Sequence, residues 1–314
     1  MKTSIGTDLL KAKEILEDND IIGLPTETVY GLAVNGLNDE AIVKLYNLKQ
    51  RPFSKPITLQ TSSIKKVFEL VDEFPEKALL LANAFWPGPL TLLLPKKNKI
   101  SNVLTAGKKN VGIRIPNHQL TLELLDLLNF PLAVPSANIY GSISATNSKN
   151  IIHQFGNKIK YILDGGDSSK GIESTIIGFE NKQTIIHRLG AISKEEIEKV
   201  IQSKAIIKDV PHQKNQLITN TPLIVVNDKK KLYELPSKKD GIIHFNTKSN
   251  TTVPIQNQLW LSNSSDLNEA AKNLYDTIFI LDKKDLKAIY ILSFPDQNIG
   301  KNLNHIINKL HPII

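Results

Sequence analysis

The chain has 314 residues, 41% hydrophobic and 22% charged, with no cysteine and a net charge of +8. Two domains are the expectation at this length, and the missing cysteine excludes a disulfide framework and thiolate or zinc–thiolate chemistry. No apolar run approaches the roughly 20 residues of a membrane span, and residues 1–8 lack a signal-peptide core, so a cytoplasmic protein is expected.

Between Asp8 and Asp18, Leu9, Leu10, Ala12, Ile15 and Leu16 recur at helical spacing. Ile21-Ile22-Gly23-Leu24 reads as a buried strand that Pro25 ends, because proline has no amide hydrogen for a ladder. Thr26-Glu27-Thr28-Val29-Tyr30-Gly31 follows as a polar loop at a strand end, where scaffolds display chemistry. The plainer alternative is that Thr26 and Thr28 merely cap backbone groups of a turn. Asn38-Asp39-Glu40 opens a helix whose apolar face is Ile42, Val43, Leu45 and Tyr46. It ends near Arg51-Pro52, since the residue before proline avoids the helical region.

Residues 57–59 are predicted as a strand, 75–85 as a helix, and 90–94 as a buried strand after the break Trp86-Pro87-Gly88-Pro89. Residues 111–115 alternate like a strand and carry Arg114; 118–128 form an amphipathic helix. Residues 131–134 lead into a second polar strand end, Pro135-Ser136-Ala137-Asn138. A helix at 148–155, an extended stretch at 161–163 and a turn at Asp164-Gly165-Gly166-Asp167 follow. Residues 172–177 are predicted as a strand with Glu173, Ser174 and Thr175 inside it, 184–188 as another, and 193–202 as a capped helix.

Residues 205–221 read as an irregular linker or lid between a first domain at 1–204 and a smaller one at 222–314. In the smaller domain, strands at 223–226, 241–245, 258–261 and 288–292 are interspersed with helices at 266–281 and 300–310, a Rossmann-like α/β pattern. It has no glycine-rich phosphate loop, so dinucleotide binding is not supported.

The charge is spread, with 25 basic against 21 acidic residues up to Lys204 and 14 against 10 beyond it. Of 39 basic residues only Arg51, Arg114 and Arg188 are arginine. A guanidinium grips carboxylates and phosphates with two parallel hydrogen bonds, which lysine cannot copy. All three arginines fall in motif-like stretches and none after residue 204, which marks them as anion contacts. The polar strand ends offer hydroxyls, amides and cations. No Ser-His-Asp order or His-Glu-x-x-His spacing stands out. Such an inventory suits a reaction run by positioning and charge neutralisation, as nucleotidyl transfer is.

Pro25-Thr26-Glu27-Thr28-Val29-Tyr30-Gly31, Lys49-Gln50-Arg51-Pro52, Phe85-Trp86-Pro87-Gly88-Pro89-Leu90-Thr91, Pro135-Ser136-Ala137-Asn138 and Glu173-Ser174-Thr175 resemble the YrdC/Sua family in order and spacing. The resemblance spans about residues 10–200, and a weaker one over 223–314 points to the two-domain members. It implies a YrdC-like twisted mixed sheet with flanking helices, plus a small Rossmann-like α/β domain at the C-terminus. The implied activity is synthesis of threonylcarbamoyl-adenylate from L-threonine, bicarbonate and ATP, with magnesium on the phosphates, release of pyrophosphate, and no metal held by the protein. The implied partner is the machinery that transfers the threonylcarbamoyl group to tRNA, with a weak tRNA contact possible and no membrane. On the same resemblance, the threonine site takes Thr28, Gln60, Arg114, Ser136 and Ser174, with Arg114 holding the carboxylate. The ATP site takes Lys49, Arg51, Lys55, Asn110, Val134, Asn138, Ser144 and Arg188, with Lys49 and Arg51 catalytic as charge neutralisers.

The sequence departs from the family pattern in places. Lys55 stands where the family often has asparagine, Gln60 where it has histidine, and Leu189 where it has proline. The linker lacks the family's lid segment, and Ile218 occupies the position of its tyrosine. Two other readings remain open at this level: an RNA-binding module of the same fold, and a paralogue that acts on a different acceptor.

Overall fold

A computed structural model describes residues 2–208, 219–246 and 251–310; Ile218 and most of the expected linker lie outside them. Contacts divide the chain into two compact units. The first runs to Tyr140, then takes in Ser144–Ser169 and the described residues from Glu173 to 208. The second holds Gly141–Ile143, Lys170–Ile172 and the described residues after 218.

In chain order the first unit opens with β1 (Ser4–Gly6), α1 (Leu9–Glu17), β2 (Ile22–Leu24), β3 (Gly31–Asn35), α2 (Asp39–Lys49) and β4 (Leu59–Gln60). It continues with α3 (Ile64–Phe68), α4 (Glu76–Phe85), β5 (Leu90–Pro95), α5 (Asn102–Thr105), β6 (Asn110–Arg114), α6 (Gln119–Leu127) and β7 (Leu132–Ala133). It closes with α7 (Ser148–Phe155), β8 (Tyr161–Leu163), β9 (Thr175–Glu180), β10 (Gln183–Arg188), α8 (Lys194–Ile201) and β11 (Ala205–Ile207). Among the described residues these eleven strands form one mixed sheet, β1-β8-β2-β3-β7-β4-β6-β5-β9-β10-β11. One buried cluster gathers Leu45, Leu59, Leu81, Leu92, Ile113 and Ile177, and another gathers Leu16, Ile22, Leu124 and Leu163.

Helix starts follow the residues that signal them. Asn38 accepts from the amide of Ala41, and Ser193 with Glu196 completes a capping box at the head of α8. Two expectations need correction. Ala205–Ile207, read as linker, is strand β11, parallel to β10. Glu173 and Ser174 precede β9 instead of lying in it: the carbonyl of Glu173 is taken by the amide of Ala191, and the sheet ladder begins at Thr175. Strands β1 and β3, only three and five residues long, are additions to the elements expected from the sequence.

The second unit contains β12 (Leu223–Val226), α9 (Lys229–Glu234), β13 (Gly241–His244), β14 (Gln258–Trp260), α10 (Leu267–Asp282), β15 (Ile289–Leu292) and α11 (Ile299–Lys309). Its strands are all parallel, in the order β12-β15-β13-β14. His244 is buried at the end of β13, stacked on Trp260 at 4.8 Å, with Nε2 2.9 Å from Gln258 Oε1 and Nδ1 without a hydrogen bond. Burial lowers its pKa below the ordinary value, against a smaller opposing pull from Gln258. As pH falls, the unfolded chain therefore takes up this proton first. The stabilisation is complete above the unfolded value near 6.5 and is lost as pH drops below it. Urea midpoints should accordingly fall between pH 7.5 and 5, more steeply than in a His244→Phe variant. Equal slopes in the two proteins would remove His244 as the cause.

Candidate active site

The polar loop after β2 is built by its own side chains. Thr26 Oγ1 donates to the carbonyl of Val29 at 2.6 Å and accepts from the amide of Thr28. Thr26 is thus the turn-former that the plainer reading expected, whereas Thr28 is not: its hydroxyl accepts from Arg114 Nη1 at 2.8 Å. Neighbouring segments hold the loop in place. Thr121 Oγ1 donates to the carbonyl of Pro25 and Ser168 Oγ to that of Thr26. The hydroxyl of Tyr30 donates to the carbonyl of Gly166 and accepts from the amide of Gly165. Burial raises the pKa of that phenol, so it stays protonated. At Gly31 a Cβ would stand 2.2 Å from Val134 Cγ1, so only glycine lets β3 lie this close to the segment Val134–Ser136.

All three arginines reach one cavity of about 680 Å³, open solvent at its mouth included. They arrive from different places: Arg51 from just beyond α2, Arg114 from the end of β6, and Arg188 from the end of β10. The guanidinium of Arg51 donates to the carbonyls of Lys55 and Pro56 and lies 5.7 Å from the Tyr140 ring. Arg188 donates through Nε to the carbonyl of Ser174 and through Nη2 to its hydroxyl, which also meets Thr91 Oγ1 at 2.8 Å. Gln60 pairs with Arg114 across β4 and β6, so the two side chains share a face of the sheet. Gln60 is 3% exposed, and its Oε1 has no hydrogen-bond partner.

Thr28, Arg51, Gln60, Arg114, Val134, Ser136, Ser174 and Arg188 thus all line the cavity. The other expected residues do not. Lys49 is 1% exposed, and its ammonium donates to the carbonyls of Ser136 and Asn138, each at 2.5 Å. Burial first, and then the charge of Arg51, lowers its pKa well below the ordinary lysine value. Asn138 Oδ1 accepts from Ser136 Oγ, and Ser144 donates to Glu173 Oε1 at 2.8 Å, so both stand one layer behind the wall. Lys55 is half-buried and contributes its backbone carbonyl to Arg51 and Tyr46. Asn110 is exposed at the opposite end of β6 from Arg114, about 13 Å along the strand.

Two acidic residues of the site were not expected from the sequence. Glu173 lines the cavity. Glu27, 4% exposed, sets Oε2 2.6 Å from Arg114 Nη2. Neither oxygen of Glu27 accepts a directed hydrogen bond, so charge holds the pair. Both residues sit inside family-like motifs, and the signal that marks them is an acidic residue in a segment that is otherwise hydroxyls and apolar side chains.

Residues 14–190 match the family profile of Sua5, YciO and YrdC, described as telomere recombination, and residues 192–310 match the C-terminal domain of threonylcarbamoyl-AMP synthase. A threonylcarbamoyl-AMP synthase of Bacillus subtilis is 31% identical over 93% of this chain and 89% of its own length. One of Pyrococcus abyssi is 40% identical over 60% of this chain, and that match spans only 56% of the archaeal protein. The structure of Sua5 from P. abyssi complexed with L-threonine superposes with a TM-score of 0.90 at 29% identity, covering 98% of this chain and 97% of the other. The wall of arginines and hydroxyls therefore sits in the expected fold, and the chain belongs to the Sua5–YciO–YrdC family, in the branch of the threonylcarbamoyl-AMP synthases.

Proposed function

We propose that this protein joins L-threonine, bicarbonate and ATP into threonylcarbamoyl-AMP and releases pyrophosphate. The observation that carries this reading is the convergence of three guanidinium groups from distant parts of the chain on one hydroxyl-lined cavity. A binding module for RNA alone has no need of such a pocket, and bases would ask for exposed stacking rings instead.

In this reading the threonine carboxylate lies against Arg114 and Thr28, and its amine lies near Gln60. The neutral amine attacks the carbon of carbon dioxide derived from bicarbonate, and its surplus proton leaves to solvent, giving a carbamate. A carbamate oxygen then attacks the α-phosphorus of ATP in line. The bond from that phosphorus to the bridging oxygen breaks, and pyrophosphate departs with the electron pair. Arg51 and Arg188 neutralise the phosphates, and Ser136 and Ser174 fix the reactants, so catalysis is by positioning and electrostatics. Magnesium rides on the phosphates, as it does with nucleotides generally; Glu173 is the lining carboxylate closest in kind to a protein ligand for it. The product would pass to a tRNA-modifying transferase, with at most a weak contact to tRNA itself. The place of work in this reading is the cytoplasm, where ATP and tRNA meet; among the described residues no helix is long and apolar enough to cross a membrane.

Mass spectrometry of protein, threonine, bicarbonate, ATP and magnesium should reveal the mixed carbamate–phosphate anhydride, and omitting threonine should remove it. Pyrophosphate release that ignores threonine would sink the proposal. Arg51→Lys keeps the charge but cannot reach the carbonyls of Lys55 and Pro56 together, so its head is no longer fixed. Pyrophosphate release should fall by about tenfold or more, chiefly through KM for ATP. Wild-type turnover in that variant would remove Arg51 from the phosphate site.

A further inference from the structure

We propose that Glu27 sorts the two charged reactants between Arg114 and Arg51, by cancelling the charge of Arg114 and leaving that of Arg51 for phosphate. The inference rests on the reading of the cavity as a joint threonine and ATP site. The charge of Arg114 is matched at contact distance: Nη2 lies 2.6 Å from Glu27 Oε2, and the two side chains are 6% and 5% exposed. Its other atoms serve neutral groups, Nη1 the hydroxyl of Thr28 and Nε the carbonyl of Gly88. Arg51 differs. Its guanidinium donates to two backbone carbonyls, and among the described residues no carboxylate lies within ion-pair distance of it.

The consequence is electrostatic. Inside a cavity charges attract more strongly than in bulk water, so a phosphate gains more at an uncompensated guanidinium than at one already paired. A zwitterion carries no net charge and loses little at a neutral pair, where the guanidinium still offers its hydrogen-bonding edge to a carboxylate. Glu27 therefore acts through Arg114, as a positioning and charge-sorting residue that does not itself line the cavity. It holds Nη2 back, so that Nη1 and Thr28 face the ligand, and it keeps polyphosphate from settling where threonine belongs. Specificity of this kind comes from penalising the wrong ligand as much as from attracting the right one.

Isothermal titration of threonine, with and without saturating pyrophosphate, reads this directly. In the wild type pyrophosphate should change the threonine Kd by no more than about twofold, because the two ligands hold different arginines. In Glu27→Gln pyrophosphate should now compete with threonine, so that saturating pyrophosphate raises the apparent threonine Kd about tenfold or more. A folded Glu27→Gln protein in which pyrophosphate still leaves threonine binding untouched overturns the proposal. Should that variant melt below the assay temperature, Glu27→Asp decides. It keeps the charge but draws it away from Nη2, so threonine should weaken a few-fold with no competition by pyrophosphate. A wild-type threonine Kd, or competition, in the aspartate variant overturns the proposal as well. Wild-type protein that binds pyrophosphate but no threonine would instead overturn the assignment of the substrate, a separate and distinguishable failure.

Discussion

Arg114→Lys is expected to lower threonine-dependent pyrophosphate release by about a hundredfold or more, while the affinity for ATP alone stays within about twofold. The guanidinium of Arg114 does three things at once: Nε meets the carbonyl of Gly88, Nη1 the hydroxyl of Thr28, and Nη2 the carboxylate of Glu27. A lysine head placed against Glu27 cannot span to Thr28 and Gly88, and one placed near Thr28 abandons a carboxylate that is 4% exposed. Leaving a buried charge unpaired costs about 3–5 kcal/mol of stability, so the lysine head stays with Glu27 and the threonine carboxylate loses its guanidinium fork. Arg114→Gln should be at least as damaging, since it removes the counter-charge altogether. A lysine variant with a normal KM for threonine would mean that the amino acid binds elsewhere, and the roles given to Thr28 and Gln60 would fall with it.

Much of this site is legible in the order of amino acids alone. The scarcity of arginine in a lysine-rich chain singles out Arg51, Arg114 and Arg188, and all three reach the same cavity. A rotating ammonium cannot copy a fixed planar fork, so arginine survives where two acceptors must be met side by side in one plane. Loop positions at strand ends are legible for the same kind of reason: Pro25 and Pro135 stop the ladder, and the polar residues that follow have nowhere else to go. What sequence does not supply is depth and direction. Asn110 and Arg114 are four apart on β6, hence on one face, but periodicity does not say which end of a strand meets the cavity. Glu27 and Thr28 are adjacent, and only the folded chain shows both serving the same guanidinium. Ser174 looks like strand because Ile172, Ile176 and Ile177 flank it, yet the carbonyl of the preceding residue bonds to Ala191 outside the ladder. Short strands such as β1 and β11 have too few residues to show an alternation at all.

Lys49→Met is the second large effect, and it separates two roles for that residue. A lysine whose task is to meet phosphate should reach the cavity, and the protein without ligand should hardly notice its loss. Lys49 instead spends its ammonium on the carbonyls of Ser136 and Asn138, at the closed end of α2, with the amide of Tyr140 bonded back to its own carbonyl. It ties the segment that carries Ser136 to the helix that leads into Arg51, so two parts of the cavity wall share one anchor. Methionine fills the space but offers no donor. Two buried hydrogen bonds from a single amine are together worth about 3 kcal/mol, which for a unit of this size is a fall in Tm of about 6–12 °C. The fall should appear without any ligand, and ATP-dependent turnover should drop with it, because Ser136 and Arg51 are no longer held in register. The alternative makes the opposite prediction: if the amine is a phosphate contact drawn inward only while the cavity is empty, methionine relieves its burial, and Tm holds steady or rises while ATP binding weakens. Differential scanning calorimetry of the ligand-free variant distinguishes the two outcomes, and an unchanged or higher Tm would rule out the tether.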